Sequence, residues 1–247
     1  MKEIDEFIEH LRFDLNFSEH TVSSYLNDIN DFYNYISSFG LDVVDISTDT
    51  IRNYLSSLLE KGDSKVTCCR RIAALRHYFS FLLKKGIVSQ NHFLFVESPK
   101  KEIRYPNALY LEQIENLFEK NKARTDSLKS RDQAILELLY ASGVRASELV
   151  AIKIQDIDIK NRTIRILGKG RKERLAPFSK SCQETLEDYL INSRKDILAK
   201  NKLEFNIDNL FLNSNGKPLT ARGLEYILKE IENKTGCVYG LHPHLLR

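Results

Sequence analysis

The sequence predicts a mainly α-helical protein of two domains, the second of which contains a small antiparallel β-sheet. Apolar residues recur every three to four positions through most of the 247 residues, which is the period of amphipathic helices. Two short segments, 163–167 and 174–178, favour strands and flank a basic, glycine-containing loop that suits a hairpin. A charged stretch with two prolines and no periodicity, residues 97–107, separates the domains.

The N-terminal domain is predicted to contain four helices. Apolar periodicity and turn residues place them near residues 4–11, 22–36, 51–58 and 64–85. Thr48 or Asp49 suits the N-cap of the third helix, because short polar side chains accept hydrogen bonds from the first turn. Apolar side chains on the fourth helix face a core. This leaves five polar residues largely on its other faces, namely Lys65, Thr67, Arg70, Arg71 and Arg76.

The C-terminal domain is predicted to begin and end with helices around the hairpin. The helices are expected near residues 111–120, 131–141, 181–195 and 220–234, with another that starts at Arg145. Gly143 closes the second of these, since glycine commonly follows the last turn of a helix. We therefore predict an N-terminal domain at residues 1–97, a linker at 98–107 and a second domain at 108–247.

Charge is unevenly distributed along the chain, although the net charge is only +3. Residues 1–60 hold 3 Lys and Arg against 12 Asp and Glu, whereas residues 61–104 hold 10 against 3. This polarity suits a polyanion that meets one side of the domain. A solvated helix face would explain the same pattern.

Several classes of protein are excluded by composition. No apolar run approaches the roughly 20 residues of a membrane span, and the first residues are too acidic for a signal peptide. The 4 cysteines do not form a disulfide framework. We therefore expect a soluble, cytoplasmic protein that does not act in a membrane.

Arg145 is a candidate phosphate ligand. It follows a helix stop and precedes a new helix, so its guanidinium would coincide with the positive end of a helix dipole. A surface ion pair with Glu148, three residues on, would explain the same two residues. Lys169 stands between two glycines in the hairpin loop, where it could reach a neighbouring site or remain solvated.

The final segment, residues 242–247, predicts a helix start because proline is favoured in the first helical position. His244 and Arg247 would then share a face, and Leu245 and Leu246 would be core residues. One helical turn is unstable alone, so we expect a C-terminally truncated polypeptide. A metal site of Cys237, His242 and His244 is an alternative, but their spacing matches no usual zinc pattern.

Four of these positions, in this order, resemble the tyrosine recombinases, or phage-type integrases, and most closely the bacterial Xer type. Arg145 lies in Leu-Leu-Tyr-Ala-Ser-Gly-Val-Arg-Ala-Ser-Glu-Leu, Lys169 in Gly-Lys-Gly-Arg-Lys-Glu-Arg, and His244 and Arg247 in His-Xaa-Leu-Arg. The resemblance covers essentially the whole chain. It implies a SAM-like core-binding domain of four helices at residues 1–97 and a mostly helical catalytic domain at residues 108–247.

The resemblance implies site-specific cleavage and rejoining of DNA strands through a 3′-phosphotyrosine, without a metal or nucleotide cofactor. Arg145 and Arg247 would hold the phosphate, and Glu148 would support Arg145. Lys169 would protonate the leaving 5′-oxygen, and His244 would assist proton transfer. The expected DNA contacts are Thr21, Lys65, Thr67, Arg70, Arg71, Arg76 and Lys172. The nucleophilic tyrosine, which follows the His-Xaa-Leu-Arg segment in the family, is absent from this chain.

The resemblance also implies a biological setting for the reaction. A homo- or heterotetramer would act on two DNA duplexes, with a partner recombinase or activator, either in chromosome dimer resolution during segregation and cell division or in integration of a mobile element. We expect the 247-residue polypeptide to bind DNA without cleaving it. A noncatalytic DNA-binding regulator derived from a recombinase and an unrelated helical protein with a basic face are the alternatives.

Overall fold

The computed structural model describes residues 2–100, 108–168, 172–201 and 207–247. The chain divides into two compact units, residues 1–104 and 105–247, and each unit has a hydrophobic core of its own. Most of the predicted linker, residues 101–107, lies outside the described ranges, and so does Lys169. Within those ranges, no helix is both long and apolar enough to cross a membrane.

The N-terminal unit contains the four predicted helices. They are α1 (Lys2–Glu9), α2 (Glu19–Ser37), α3 (Thr48–Glu60) and α4 (Lys65–Lys84). Serine hydroxyls cap the last three, because Ser18, Ser47 and Ser64 each accept a hydrogen bond from the third residue of the following helix. The expected cap at Thr48 or Asp49 is therefore wrong, since Ser47 takes that position and exchanges hydrogen bonds with Thr50.

Helices α2 and α4 pack against each other and carry the centre of this core. Phe32 of α2 and Phe79 of α4 are almost fully buried and meet edge to face, with 5.9 Å between their ring centroids. Tyr33 and Tyr78 share a hydrogen bond of 2.7 Å between their hydroxyl groups. Aromatic pairs of this geometry add to the stabilisation that burial provides. The two helices are therefore joined by aromatic packing and by a hydrogen bond.

The C-terminal unit is mostly helical with a three-stranded antiparallel sheet in the order β1-β2-β3. Its elements are α5 (Leu111–Lys122), α6 (Lys129–Ser142), α7 (Ala146–Ala151), β1 (Ile157–Asp158), β2 (Thr163–Leu167), β3 (Glu173–Pro177), α8 (Lys180–Asp188), α9 (Arg194–Leu198) and α10 (Ala221–Thr235). The predicted hairpin is β2 and β3. Strand β1 was not predicted, because two residues are too few to show an alternating pattern.

Helix α6 runs through the centre of this unit, and residues 131–139 of it are all buried. Because it is enclosed on every side, its polar residues need internal partners. Asp132 accepts hydrogen bonds from both Arg124 and Arg131, at 2.9 and 2.7 Å. The helix ends at Gly143, whose φ of 57° is a left-handed conformation that costs glycine least. This sharp end directs the chain into Arg145.

Residues 243–246 form a turn instead of the predicted helix start. The amide of Leu245 donates to the carbonyl of His242 at 2.9 Å, and one such bond does not compensate for fixing a full helical turn. Leu245 and Leu246 are buried in the same core as α6, as expected, whereas His244 and Arg247 are exposed. Core packing therefore fixes the segment without helical structure.

Candidate active site

Arg145 is the residue that immediately precedes α7, and its side chain is half-exposed. Its backbone amide donates to Oε2 of Glu148 at 2.8 Å, and its Nη1 donates to Oε1 of the same carboxylate at 3.0 Å. Helix α7 has only 6 residues, so its dipole is small and the guanidinium supplies most of the positive charge. No other described group accepts a hydrogen bond from Nε or Nη2 of Arg145.

Glu148 also binds an arginine that the sequence interpretation did not include. Arg174 of β3 donates from Nη1 and Nη2 to the two carboxylate oxygens of Glu148, at 2.8 and 2.7 Å. The side chain of Glu148 is only 5% exposed. Hydrogen bonds from Arg174, and then from Arg145, lower the pKa of Glu148 to about 2. Glu148 is therefore ionised under ordinary conditions and links the hairpin to the start of α7.

A signal for Arg174 exists in the sequence. Residues directly opposite each other in an antiparallel sheet point to the same face, and Arg174 lies opposite the buried Ile166. Two positions on, the buried Ala176 continues this inner face. A guanidinium on an inner face requires an opposite charge. The alternation of β3 therefore predicts a buried carboxylate near Arg174.

Arg247 approaches the Arg145 segment from the other end of the unit's sequence. A side-chain carbon added at Gly143 would lie 3.7 Å from Cγ of Arg247, so the stem of Arg247 passes directly over the end of α6. Gly143 is two residues before Arg145. The structure thus brings Arg145, Glu148, Arg174 and Arg247 into one region. His244 is exposed in the adjacent turn and has no hydrogen-bond partner among the described residues.

The base of the β2–β3 hairpin lies against the same carboxylate. Gly168 donates its amide to the carbonyl of Lys172 at 2.8 Å, and the side chain of Lys172 is exposed. A side-chain carbon at Gly168 would lie 3.4 Å from Nη1 of Arg174 and 3.9 Å from Oε1 of Glu148. The hairpin backbone therefore passes close to the ion pair, which glycine permits. The predicted position of Lys169 cannot be compared, because that residue is outside the described ranges.

This arrangement suits an anion better than a cation. Three guanidinium groups against one carboxylate leave an excess of positive charge, and the planar donors of arginine match the oxygens of a phosphate. The alternative metal site has no structural support. Cys237 is buried and accepts from Asn116, whereas His242 is exposed, and no cluster of three metal-binding side chains occurs in the described part of the chain.

A second candidate surface lies on the N-terminal unit, where the sequence predicted DNA contacts. Thr21 and Thr67 occupy equivalent places, each as the third residue of its helix with its hydroxyl 2.9 Å from the capping serine. Lys65 is exposed in the first turn of α4. Arg70 is 45% exposed and donates to the buried carboxylate of Asp28 on α2. These four side chains lie at the solvent-facing sides of α2 and α4.

Arg71 and Arg76 differ from the expectation that they lie largely on other faces of α4. Arg71 is 15% exposed and contacts two carboxylates, Asp31 at 2.5 Å and Asp63 at 3.3 Å. Arg76 donates to the carbonyls of Phe93 and Val96, at 3.0 and 2.6 Å, and so ties the segment after α4 to the helix. Both guanidinium groups fold back onto the unit, where carboxylates and backbone carbonyls accept their hydrogen bonds.

The chain thus combines a helical domain with a mostly helical domain that contains a small antiparallel sheet and an arginine-rich site. Comparison with known sequences gives the family. Residues 107–247 match the model "Phage integrase family", and residues 4–86 match "Phage integrase, N-terminal SAM-like domain". The chain is 40% identical over 242 residues to tyrosine recombinase XerC of Bacillus licheniformis, which covers 98% of this chain and 79% of that protein. The chain belongs to the phage integrase family.

Solved structures show the same fold. The integrase of transposon Tn1549 in complex with a circular intermediate DNA has a TM-score of 0.74 and 16% identity, over 99% of this chain and 83% of that one. The XerH recombinase bound to difH substrate has a TM-score of 0.69 and 23% identity, over 99% of this chain and 71% of that one. The predicted fold class, a SAM-like helical domain with a mostly helical domain that contains a small antiparallel sheet, is confirmed.

Proposed function

We propose that this protein is a site-specific DNA recombinase of the Xer type, which cleaves and rejoins strands through a 3′-phosphotyrosine. The observation that carries the proposal is the convergence of Arg145 and Arg247 around Gly143, from segments about a hundred residues apart in sequence. Two planar, charged guanidinium groups suit the two non-bridging oxygens of a phosphodiester. The sequence relationship to tyrosine recombinases supports the same reaction.

The two arginines act on the charge that develops at phosphorus. A tyrosine hydroxyl attacks the phosphodiester, the new bond joins the phenolic oxygen to phosphorus, and the bond to the 5′-oxygen breaks. Arg145 and Arg247 stabilise the additional negative charge of the transition state by hydrogen bonds that are already oriented. The reverse reaction, with the 5′-hydroxyl of another strand as the nucleophile, rejoins DNA. No metal or nucleotide is needed, because the phosphotyrosine conserves the bond energy.

The remaining site residues transfer protons or orient Arg145. Lys169 protonates the departing 5′-oxygen, a task suited to an ammonium group. His244 assists proton transfer from its exposed position in the turn that precedes Arg247. Glu148 orients Arg145, which the two hydrogen bonds between these residues support.

DNA is held by residues of both units. On the N-terminal unit we propose Thr21, Lys65, Thr67 and Arg70 as direct contacts, because their side chains reach solvent on neighbouring helices. Arg71 and Arg76 contribute to the interface through the positions they impose on α4 and the segment after it. Lys172 is the contact proposed beside the hairpin, where it is exposed at the end of the loop. Helix N-termini with hydroxyl groups favour phosphate oxygens.

The active assembly is proposed to be a tetramer of identical or related recombinases on two duplexes, with a partner recombinase or activator. We propose a role in chromosome dimer resolution, and hence in segregation and cell division, over integration of a mobile element; relatives named tyrosine recombinase XerC support the Xer type. Because chromosomal DNA is the substrate, we place the activity in the cytoplasm. Solved neighbours that include a recombinase tetramer on a Holliday junction support the assembly.

Tyr239 precedes the His244–Arg247 segment in the sequence, and its hydroxyl accepts a 3.0 Å hydrogen bond from Nδ2 of Asn116 on α5. We assign it no role in catalysis.

The decisive experiment compares residues 1–247 with a continued form, in which any codons that follow in the reading frame are included. Each is incubated with a nicked duplex that carries a candidate recombination site, so that a cleaved strand cannot be rejoined. We expect both to shift the duplex on native gels, and only the continued form to yield a covalent adduct on denaturing gels. Arg247→Lys in the continued form is the control, since it keeps the charge but loses the planar fork.

The alternative outcomes have distinct meanings. DNA binding by both forms, with no adduct from either, would replace the recombinase by a noncatalytic DNA-binding regulator. An adduct formed by residues 1–247 themselves would refute the assignment of the nucleophile. Failure of both forms to bind any duplex would refute the DNA-binding function.

A further inference from the structure

The carboxylate of Glu148 accepts hydrogen bonds from two arginines, which use different donor atoms. Arg174 uses both terminal nitrogens, one on each carboxylate oxygen, at 2.8 and 2.7 Å. Arg145 uses its backbone amide and Nη1 alone, at 2.8 and 3.0 Å. The carboxylate therefore receives four hydrogen bonds in a largely buried position. Its orientation is fully determined by them.

This difference in donor atoms determines which of the two arginines is able to bind a ligand. The guanidinium of Arg174 faces the carboxylate with its whole fork, which is the most specific geometry of an arginine–carboxylate pair. No hydrogen bond from Nε or Nη2 of Arg145 occurs among the described residues, and its side chain is half-exposed. Arg145 is thus equipped to hold a phosphate, whereas Arg174 is bound to Glu148.

The position of Arg174 is fixed by the sheet. It lies on β3 opposite Ile166, on the inner face, and the neighbouring backbone at Gly168 approaches so closely that a side chain there would contact Nη1. Arg174 therefore has little freedom to leave Glu148. Strand β3 and the first residue before α7 are connected through a single carboxylate.

We propose that Arg174 is a positioning residue for Arg145, and that it acts by occupying Glu148. Without Arg174, both oxygens of Glu148 become available to the fork of Arg145. A fork-to-fork pair between Arg145 and Glu148 would withdraw Nε or Nη2 from the phosphate. Arg174 thus prevents an internal ion pair that would compete with DNA. The inference rests on the proposed function, because it requires Arg145 to bind a phosphate.

The test measures one phosphate at a time. Residues 1–247 are used to select a duplex from a randomised pool, and single phosphates of that duplex are then replaced by neutral methylphosphonates. The phosphate that Arg145 holds is identified as the one whose replacement weakens binding by roughly tenfold in the unaltered polypeptide but not in Arg145→Ala. The readout is the dissociation constant for the duplex with a methylphosphonate at that position, divided by the dissociation constant for the unmodified duplex.

Arg174→Met is expected to lower this ratio from roughly tenfold to less than about twofold. Arg174→Lys, which keeps the charge and loses the fork, is expected to give an intermediate ratio and guards against failure of the methionine variant to fold. Adding Glu148→Gln to Arg174→Met should restore most of the ratio, because the competing carboxylate charge is removed. A merely structural role for Arg174 predicts no such restoration. Arg165→Met is the matched control, since Arg165 is a similarly exposed arginine on β2 that pairs with Asp156.

An unchanged ratio in Arg174→Met would overturn the inference and leave the proposed function intact. The same holds if Glu148→Gln fails to restore the ratio or lowers it further. By contrast, if no duplex is selected, or no phosphate depends on Arg145, the proposed function fails and the inference fails with it. Folding of each variant is verified by circular dichroism before its ratio is used.

Discussion

Arg174 and Glu148 form a fork-to-fork ion pair that joins the second strand of the hairpin to the first turn of α7. The carboxylate of Glu148 is largely buried, while both of its arginine partners, Arg145 and Arg174, reach solvent. Removing one buried charge of such a pair leaves the other without compensation. Protonation of Glu148 should therefore have a measurable effect on folding.

The first prediction concerns pH. The pKa of Glu148 is lowered from 4.5 to about 2, so its ion pairs stabilise the folded state above pH 4.5 and this contribution is lost as pH falls towards 2. The shift corresponds to on the order of 3 kcal/mol. Urea unfolding at several pH values should show that Glu148→Gln costs most near pH 6 and progressively less below pH 4.5. Glu173→Gln, at an exposed carboxylate on β3, should show no such trend.

A second prediction concerns the apolar anchor of Arg247. Leu246 is 2% exposed and packs in the core of the C-terminal unit. Leu246→Ala should lower the free energy of unfolding by about 2–5 kcal/mol, the range for removing a buried leucine side chain. Urea unfolding followed by circular dichroism provides the measurement. Val238→Ala, at a side chain that is 84% exposed, is the control and should change stability by less than about 0.5 kcal/mol.

Arg71 should behave as a structural residue. It lies between Asp31 and Asp63 and also donates to the hydroxyl of Tyr54 at 3.4 Å. Arg71→Met should destabilise the N-terminal unit by about 1–3 kcal/mol, because its acidic partners lose their counterion. Arg52→Met removes an exposed pair with Asp49 and should cost less than about 0.5 kcal/mol. Equal losses of stability in the two variants would show that Arg71 is not a structural residue.

Arg70 should instead contribute to DNA binding. Its carboxylate partner Asp28 is buried, so Asp28→Asn is introduced together with Arg70→Gln to avoid an uncompensated charge. The double variant should bind a selected duplex more weakly, and the slope of log K against log salt should fall by about one. The control Asp28→Asn alone should keep the slope of the unaltered polypeptide. If the slope of the double variant equals that of the unaltered polypeptide, Arg70 does not contact DNA.

Local signals were sufficient for most of the secondary structure. Helix α2 could be predicted because a serine cap and apolar spacing are contained within the segment itself. Strand β1 could not, since its 2 residues are defined only by pairing with β2. The helix expected at residue 242 is a turn, because the pattern of buried leucines does not distinguish a helix from an anchored turn.

Side-chain partners were harder to predict than elements. The exposure of Arg71 and Arg76 depends on acceptors elsewhere in the fold, on α2, on the turn before α4 and on residues 93–96. A helical wheel contains none of that information. Arg174 is different, because its inward position on β3 follows from the alternation of the strand. The need for a partner was therefore predictable, whereas the identity of Glu148 as that partner was not.

Each arginine of the candidate site is a short distance along the chain from a residue of one continuous apolar core. Val144 precedes Arg145, Leu246 precedes Arg247, and Ala176 follows Arg174 by two positions. The hydrophobic core of the unit thus fixes the backbone positions from which the three arginine side chains extend. A change of packing volume deep in that interior alters the spacing of the guanidinium groups, so the fit to a phosphate is tunable by residues that never meet DNA.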